Sequence, residues 1–469
     1  MPETPAPRQQ GRGAVRGLAL RLHFYAGLFV GPFLLIAALT GGLYAIAPAI
    51  ENFVDRDVLF VDSEGPAKPL SEQVAAGVAQ RPDLTLNAVS PAPAPGETTR
   101  VLFTDPTLGE SLRRSVFVDP VTARPVGEEV VYGSSGALPF RTWISQLHRH
   151  LHLGEPGRLY SELAASWLWL IALAGLVLWV RRVRARRQRD SARWLFVPNL
   201  AQGARERRLN WHAAVGVWIL PAALILSATG LTWSAYAGAN IEKLREDLSW
   251  TTPVVETALP GSAAAEHSGH AGHHGGAVTT HTVPAERIRQ LDVVDATAVE
   301  AGVTGPAEIS IPADDHTAFV VKERRLPGVL SADSVSVDGA TGAVVQLLPY
   351  SDWSLMAKLA NWGIQLHMGL LFGLLNQLLL LAAAIGLVTV IVRGYLMWWR
   401  RRPTRDAGWF TFGRPPRRGA LRRSIPLAVP VLAAALLIGW FAPVFGVSLL
   451  TFLVVDIAVG LVQRARASA

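Results

Sequence analysis

The chain has 469 residues, half of them apolar, and a formal net charge of +8 at pH 7. It holds no cysteine, which excludes disulfides, iron–sulfur clusters and thiolate zinc sites. A basic balance can point to nucleic acid, but here the cations cluster beside long apolar runs, and no nucleic-acid partner is expected.

A basic tail, 1–22, carries Arg8, Arg12, Arg16 and Arg21. Residues 24–50 follow without a charged side chain. Runs of this length predict membrane helices, the first over 23–50. No small-x-small cleavage site follows it, so a retained anchor is expected rather than a signal peptide. Residues 51–140 then alternate short β-type runs (TRVLFTD, RRSVFVDP) with turns. They predict a small α+β domain. An interfacial helix and second span fill 141–180. The loop 181–211 holds ten arginines. A third span covers 212–236.

Residues 237–352 predict a second α+β domain, with the helix-like ERIRQLDVVDATAVEAG ahead of its strands. It carries a His-rich insertion at about 256–284, whose run EHSGHAGHHGG is of low complexity. An interfacial segment and fourth span fill 353–399. The loop 400–424 adds nine arginines. A hairpin of two apolar helices, 425–463, closes the chain. Its Asp456 is unusual for a lipid-facing position. Arginine-rich flanks stay on the cytoplasmic side, so both termini are expected there and both α+β domains outside. The expected fold class is a membrane α-helical bundle of four core helices from an internal duplication, plus a C-terminal helix pair and two small α+β domains. The expected location is a bacterial cytoplasmic membrane.

The duplication is read from matched residues. With His23 laid on His212, Gly27 meets Gly216, Pro32 meets Pro221, Thr40 meets Thr229 and Gly41 meets Gly230. With His148 laid on His367, Trp143 meets Trp362, Gly154 meets Gly373, Gly175 meets Gly394 and Trp179 meets Trp398. The same offset carries Asp119 and Thr122 onto Asp338 and Thr341.

Four histidines are thus paired by repeat and by depth. Imidazole is a good axial ligand for haem iron. His23 and His212 are expected to hold one haem near the cytoplasmic face, and His148 and His367 a second near the outer face. Gly27 and Gly216 lie one turn from their histidines, where a porphyrin needs room. Gly41 and Gly230 lie five turns on, about 27 Å along the axis and near the outer haem's depth. Pro32 and Pro221 fall on the opposite face. His150 and His152, without repeat partners, are alternatives to His148. Arg141, Arg149, Arg158 and Lys358 are candidate partners for haem propionates. His267, His270, His273 and His274, with His281, form a flexible tract with modest affinity for copper, zinc or nickel.

The segments LHFYAGLFVGPFLLIAALTGGLY, NWHAAVGVWILPAALILSATGL and LHRHLHLGEPGRLYSELAASWLWLIALAGLVLWVRR resemble the PepSY-associated transmembrane helix family. So do the outer VDPxTGxV-like motifs, where Ala123-Arg124 departs from the usual Thr-Gly turn. The resemblance covers residues 15–403. It implies an iron-regulated inner-membrane protein, some relatives being siderophore-iron reductases with two b-type haems. The same ligand set is implied here: His23, His148, His212 and His367. The extra helices at 425–463 and the His-rich insertion depart from the family pattern, and the insertion points toward another metal such as copper.

The expected activity is transmembrane electron transfer from a cytoplasmic or quinone donor to a ferric siderophore or related complex outside. No GxGxxG follows a strand, so the donor is expected to be another molecule. Two alternatives stand beside this reading. One is a membrane-anchored PepSY-domain binding or regulatory protein. The other is a metal capture or transport protein built around the His-rich tract.

Overall fold

The structure, a computed structural model, describes residues 7–186, 196–197, 203–259, 283–400 and 425–468. The chain divides into two compact units, one drawn from Met1–Leu43, Gln146–Ser249 and Leu378–Ala469, the other from Tyr44–Ser145 and Trp250–Gln377. The His-rich tract and the loop 400–424 lie outside the described residues, except Arg400.

In chain order the helices are α1 (Pro7–Phe29), α2 (Gly31–Val54), α3 (Arg56–Leu59), α4 (Leu70–Gln80), α5 (Pro139–His150), α6 (Glu155–Arg186), α7 (Ala204–Trp218), α8 (Leu220–Thr232), α9 (Tyr236–Asp247), α10 (Ala285–Glu300), α11 (Leu355–His367), α12 (Leu374–Trp399), α13 (Ile425–Phe441) and α14 (Pro443–Ser468). Among the described residues four helices are long and apolar enough to cross a membrane: Gly31–Val54, Glu155–Ala185, Leu374–Trp399 and Pro443–Gln463. The stretch expected as one span at 212–236 is two helices, Glu206–Trp218 and Leu220–Thr232, bent by 56°. The stretch expected at 23–50 is likewise divided, between Phe29 and Gly31. Both breaks sit just ahead of a repeat-matched proline, Pro32 or Pro221. A proline ring cannot donate to the preceding turn and clashes with it.

The helical unit packs on small residues. Ala26, Ala164, Ala223, Ala237 and Ala442 are all buried around Trp167 and Phe445. Alanine at these contacts lets helix backbones approach closely. Several polar groups buried here are satisfied. The two oxygens of Glu162 accept from the backbone N–H groups of Tyr236 and Ala237, each at 2.9 Å, capping α9. Trp167 Nε1 donates to Ser448 Oγ at 2.9 Å. Asp456, out of place by composition, pairs with Arg21 of α1 at 2.8 Å. Outward faces remain apolar: Leu436, Trp440, Val447, Leu450 and Leu461 are each more than half exposed. Contiguous exposed apolar surface of this kind needs a cover, here lipid.

The other unit is built on one antiparallel sheet of eight strands, order β4-β3-β2-β1-β5-β6-β7-β8. The first four strands are β1 (Thr85–Ser90), β2 (Thr99–Thr104), β3 (Leu112–Val118) and β4 (Pro125–Tyr132). The last four are β5 (Ala307–Ser310), β6 (Phe319–Glu323), β7 (Ser334–Val337) and β8 (Val344–Leu348). The two segments expected as separate α+β domains therefore share one sheet, joined where Val89 faces Ile309 on antiparallel β1 and β5. One sheet face packs on α4 and α10 through Val74, Leu291, Val294, Val101, Phe103, Phe319 and Val335. The opposite face carries Leu59, Ala88, Leu102, Phe117, Val131 and Leu138. Leu86 and Ala88 share a parity yet lie on opposite faces, because the β1–β2 register shifts between them.

The Arg21–Asp456 pair is half shielded, with side-chain exposures of 15% and 33%. A double-mutant cycle on Arg21→Gln and Asp456→Asn, read by unfolding in detergent, is expected to show a coupling of about 1 kcal/mol. Zero coupling would mean that the pair does not tie the last helix to the first.

Candidate functional site

His23 and His212 meet. Their ring centroids are 5.9 Å apart and their planes cross at 79°. Two imidazoles on opposite sides of one metal ion, each at about 2.0 Å from nitrogen to metal, place their ring centres about 6 Å apart. The separation therefore matches a shared ion between the rings.

Each ring is fixed by the same device. His23 Nδ1 lies 2.9 Å from the Ile171 carbonyl of α6, and His212 Nδ1 lies 2.9 Å from the Val390 carbonyl of α12. A carbonyl only accepts, so each Nδ1 carries the proton. Each Nε2 is then a lone pair, with no hydrogen bond to another described residue. That is the tautomer a metal needs, held by the second interaction that normally orients a ligating imidazole. Ile171 and Val390 are repeat mates at the offset that relates His148 to His367.

Glycine makes the approach possible. A helix carbonyl at position i points along the axis toward residue i+4, whose side chain would stand beside any second donor. Those residues are Gly175 and Gly394. A Cβ on Gly175 would lie 3.1 Å from His23 Cε1, and one on Gly394 would lie 3.8 Å from His212 Cε1.

Around the pair is a cavity of about 1100 Å³. Gly27, Gly216, Gly175 and Gly394 line it, with Leu176, Trp179, Ile391 and Trp398. A Cβ on Gly27 would meet nothing within 4 Å, and one on Gly216 only Val390 at 4.0 Å. Arg16, Arg181, Arg182 and Arg184 also contribute to the lining. An apolar slot with two lone-pair nitrogens and several guanidiniums suits a flat macrocycle with acidic substituents. The residues present fit a haem here.

His148 sits elsewhere in the same unit. Its Nδ1 lies 2.9 Å from Thr40 Oγ1, and that hydroxyl donates to the Ile36 carbonyl at 2.9 Å. With the hydroxyl donating to Ile36, a proton on Nδ1 would be donated to Thr40 and leave Nε2 without one. Gly41 is the floor under this ring, since a Cβ there would lie 3.0 Å from His148 Cε1. Gly230, its repeat mate, is half buried in α8. His367 is the last residue of α11 and belongs to the other unit. His150 and His152 pair edge-to-face with each other, centroids 6.0 Å apart. Trp143 is 56% exposed, whereas Trp362 packs on Tyr350. His267, His270, His273 and His274 lie outside the described residues. Among the described residues no cluster of three or more His, Cys, Asp or Glu side chains forms a conventional metal site.

Sequence reasoning found the histidines and the glycine repeats but not Ile171, Val390 or Thr40 as partners of the rings. A backbone carbonyl has no signature in a sequence. Thr40 was visible as a repeat position without a role.

Residues 20–401 match the family described as the PepSY-associated TM region. An uncharacterized protein of Pseudomonas aeruginosa is 33% identical over 93 residues, 20% of this chain and 21% of that protein. The match thus spans about a fifth of that curated relative's length.

The tautomer assignment is directly testable. Long-range proton–nitrogen NMR of 15N-histidine-labelled protein without bound metal is expected to show His23 and His212 protonated at Nδ1. Gly175→Leu is expected to displace His23 alone. Protonation of His23 at Nε2 in the unsubstituted protein would contradict the geometry.

Proposed function

The chain belongs to the PepSY-associated TM region family, and from that premise we propose that it is an inner-membrane oxidoreductase. It moves electrons across the bilayer through two b-type haems to a ferric siderophore or related metal complex outside. The observation that supports this most is the His23–His212 pair, two lone-pair nitrogens at matched repeat positions in one glycine-lined cavity.

A bound haem would supply one-electron ferric–ferrous chemistry at each site. The chain's own residues do the rest. Ile171 and Val390 hold the first pair of rings in the ligating tautomer, and Thr40 does so for His148. Leu176, Ile391 and the tryptophans give the first site an apolar lining, and two histidines ligating one iron would favour electron transfer over oxygen chemistry. His148 and His367 serve the second site. We read the four-helix core as an internal duplication, with each pair of ligands drawn from the two halves.

From the arginine-rich loops 181–211 and 400–423 we infer a first haem near the cytoplasm and strands outside. A cytoplasmic protein or membrane quinol is the donor. Reduction of ferric iron weakens its hold by hard oxygen ligands, so a one-electron transfer outside is enough to release it.

Haem counted per chain in purified variants tests the ligand set. His23→Ala or His212→Ala is expected to lose one haem, and His148→Ala or His367→Ala the other. Unchanged haem content in all four would reject the assignment.

A further inference from the structure

The sheet face turned away from α4 and α10 carries a group of arginines, of which Arg141 alone was singled out by the sequence. Arg100 stands on β2, Arg324 one residue beyond β6 and Arg141 in the first turn of α5. Arg141 and Arg324 are only 5% and 6% exposed, and Arg100 is half buried.

All three converge on the loop 133–138. Arg100 Nη1 donates to the Gly136 carbonyl at 2.8 Å. Arg141 Nη2 donates to the Ser135 carbonyl at 3.3 Å and to Ser135 Oγ at 3.1 Å. A Cβ on Gly136 would lie 2.8 Å from Arg100 Nη1 and 3.0 Å from Arg324 Nη2. Two guanidiniums thus press against one residue whose φ of +59° is itself a glycine conformation.

Three carboxylates, Glu51, Glu97 and Glu308, act on this cluster, against Arg100, Arg113, Arg141 and Arg324. Glu51 Oε2 lies 3.4 Å from Arg141 Nε and also accepts from the Leu138 backbone at 2.8 Å. Glu308, the next carboxylate, is held in a two-pronged pair by Arg113 at 2.9 Å. Arg324 Nε is buried with no hydrogen-bond partner among the described residues. Burial, and then the neighbouring Arg324 charge, push the Arg100 guanidinium down to about 9, so it stays protonated at neutral pH. Buried cations without partners are costly, and guanidinium forks match planar oxyanions.

We propose that Arg100, Arg141 and Arg324 form a binding site for a carboxylate group. Its sources are a propionate of bound haem or a soluble polycarboxylate metal complex such as ferric citrate. The choice of sources rests on the proposed function; the site itself rests on the geometry of the cluster.

Full-length protein in detergent tests it, comparing unsubstituted chain with Arg324→Met and with Arg324→Lys, which keeps the charge. Citrate and ferric citrate are titrated against thermal unfolding, with sodium chloride at equal ionic strength as control. A soluble source predicts a saturable rise in Tm beyond the chloride control. Arg324→Met then weakens half-saturation by about tenfold or more, and Arg324→Lys recovers part of the loss. A haem source predicts no citrate effect, while Arg324→Met shifts the propionate bands in resonance Raman spectra and loosens haem retention. Citrate binding through Arg324 in a haem-free protein would keep the site and reject the two-haem reading alone. Identical citrate responses and identical propionate bands, or no haem and no citrate effect, would overturn the site and leave the arginines as supports for the loop 133–138.

Discussion

A hydrogen bond from imidazole to a helix carbonyl is the constraint on which the helical unit depends. A carbonyl inside an α-helix already accepts one N–H and has a second lone pair to offer. Reaching it requires the donor to lie against the helix surface, where the side chain four residues on would normally stand. Gly175 and Gly394 remove that side chain. His23 and His212 can then press onto α6 and α12 and face each other at 5.9 Å. The glycine cavity, the close alanine packing around Trp167 and the breaks ahead of Pro32 and Pro221 all serve this approach of four helices.

Matched residues of the two sequence halves surround the His23–His212 pair. Val390 reproduces Ile171, and Gly394 reproduces Gly175, down to their contacts with the facing histidine. Thr40 and its repeat mate Thr229 both return their hydroxyls to the carbonyl four residues back, Ile36 at 2.9 Å and Ile225 at 2.7 Å, and Thr40 also meets His148. His150 and His152, beside His148, are replaced by Gly369 and Leu371 near His367.

The apolar runs, the arginine flanks and the histidine repeat were legible because each is a property of consecutive residues or of a fixed offset. The merging of two outer segments into one sheet was not. Alternation of apolar side chains marks a strand and its faces, but the identity of the neighbour across the β1–β5 seam, Val89 opposite Ile309, is decided by long-range pairing. Proline announced the kinks but not the 56° angle at Ile219. Arg100 and Arg324 passed unnoticed because a charged residue in or beside a strand ordinarily points to water. Only the fold shows that the loop 133–138 closes over them.

The most direct measurement is a dithionite-reduced minus air-oxidised absorption spectrum of the purified protein, with haem counted per chain. The account predicts two b-type haems with sharp low-spin bands, reduced in separate steps in a potentiometric titration. A well-folded protein, expressed with haem supplied, that shows no such bands would contradict it.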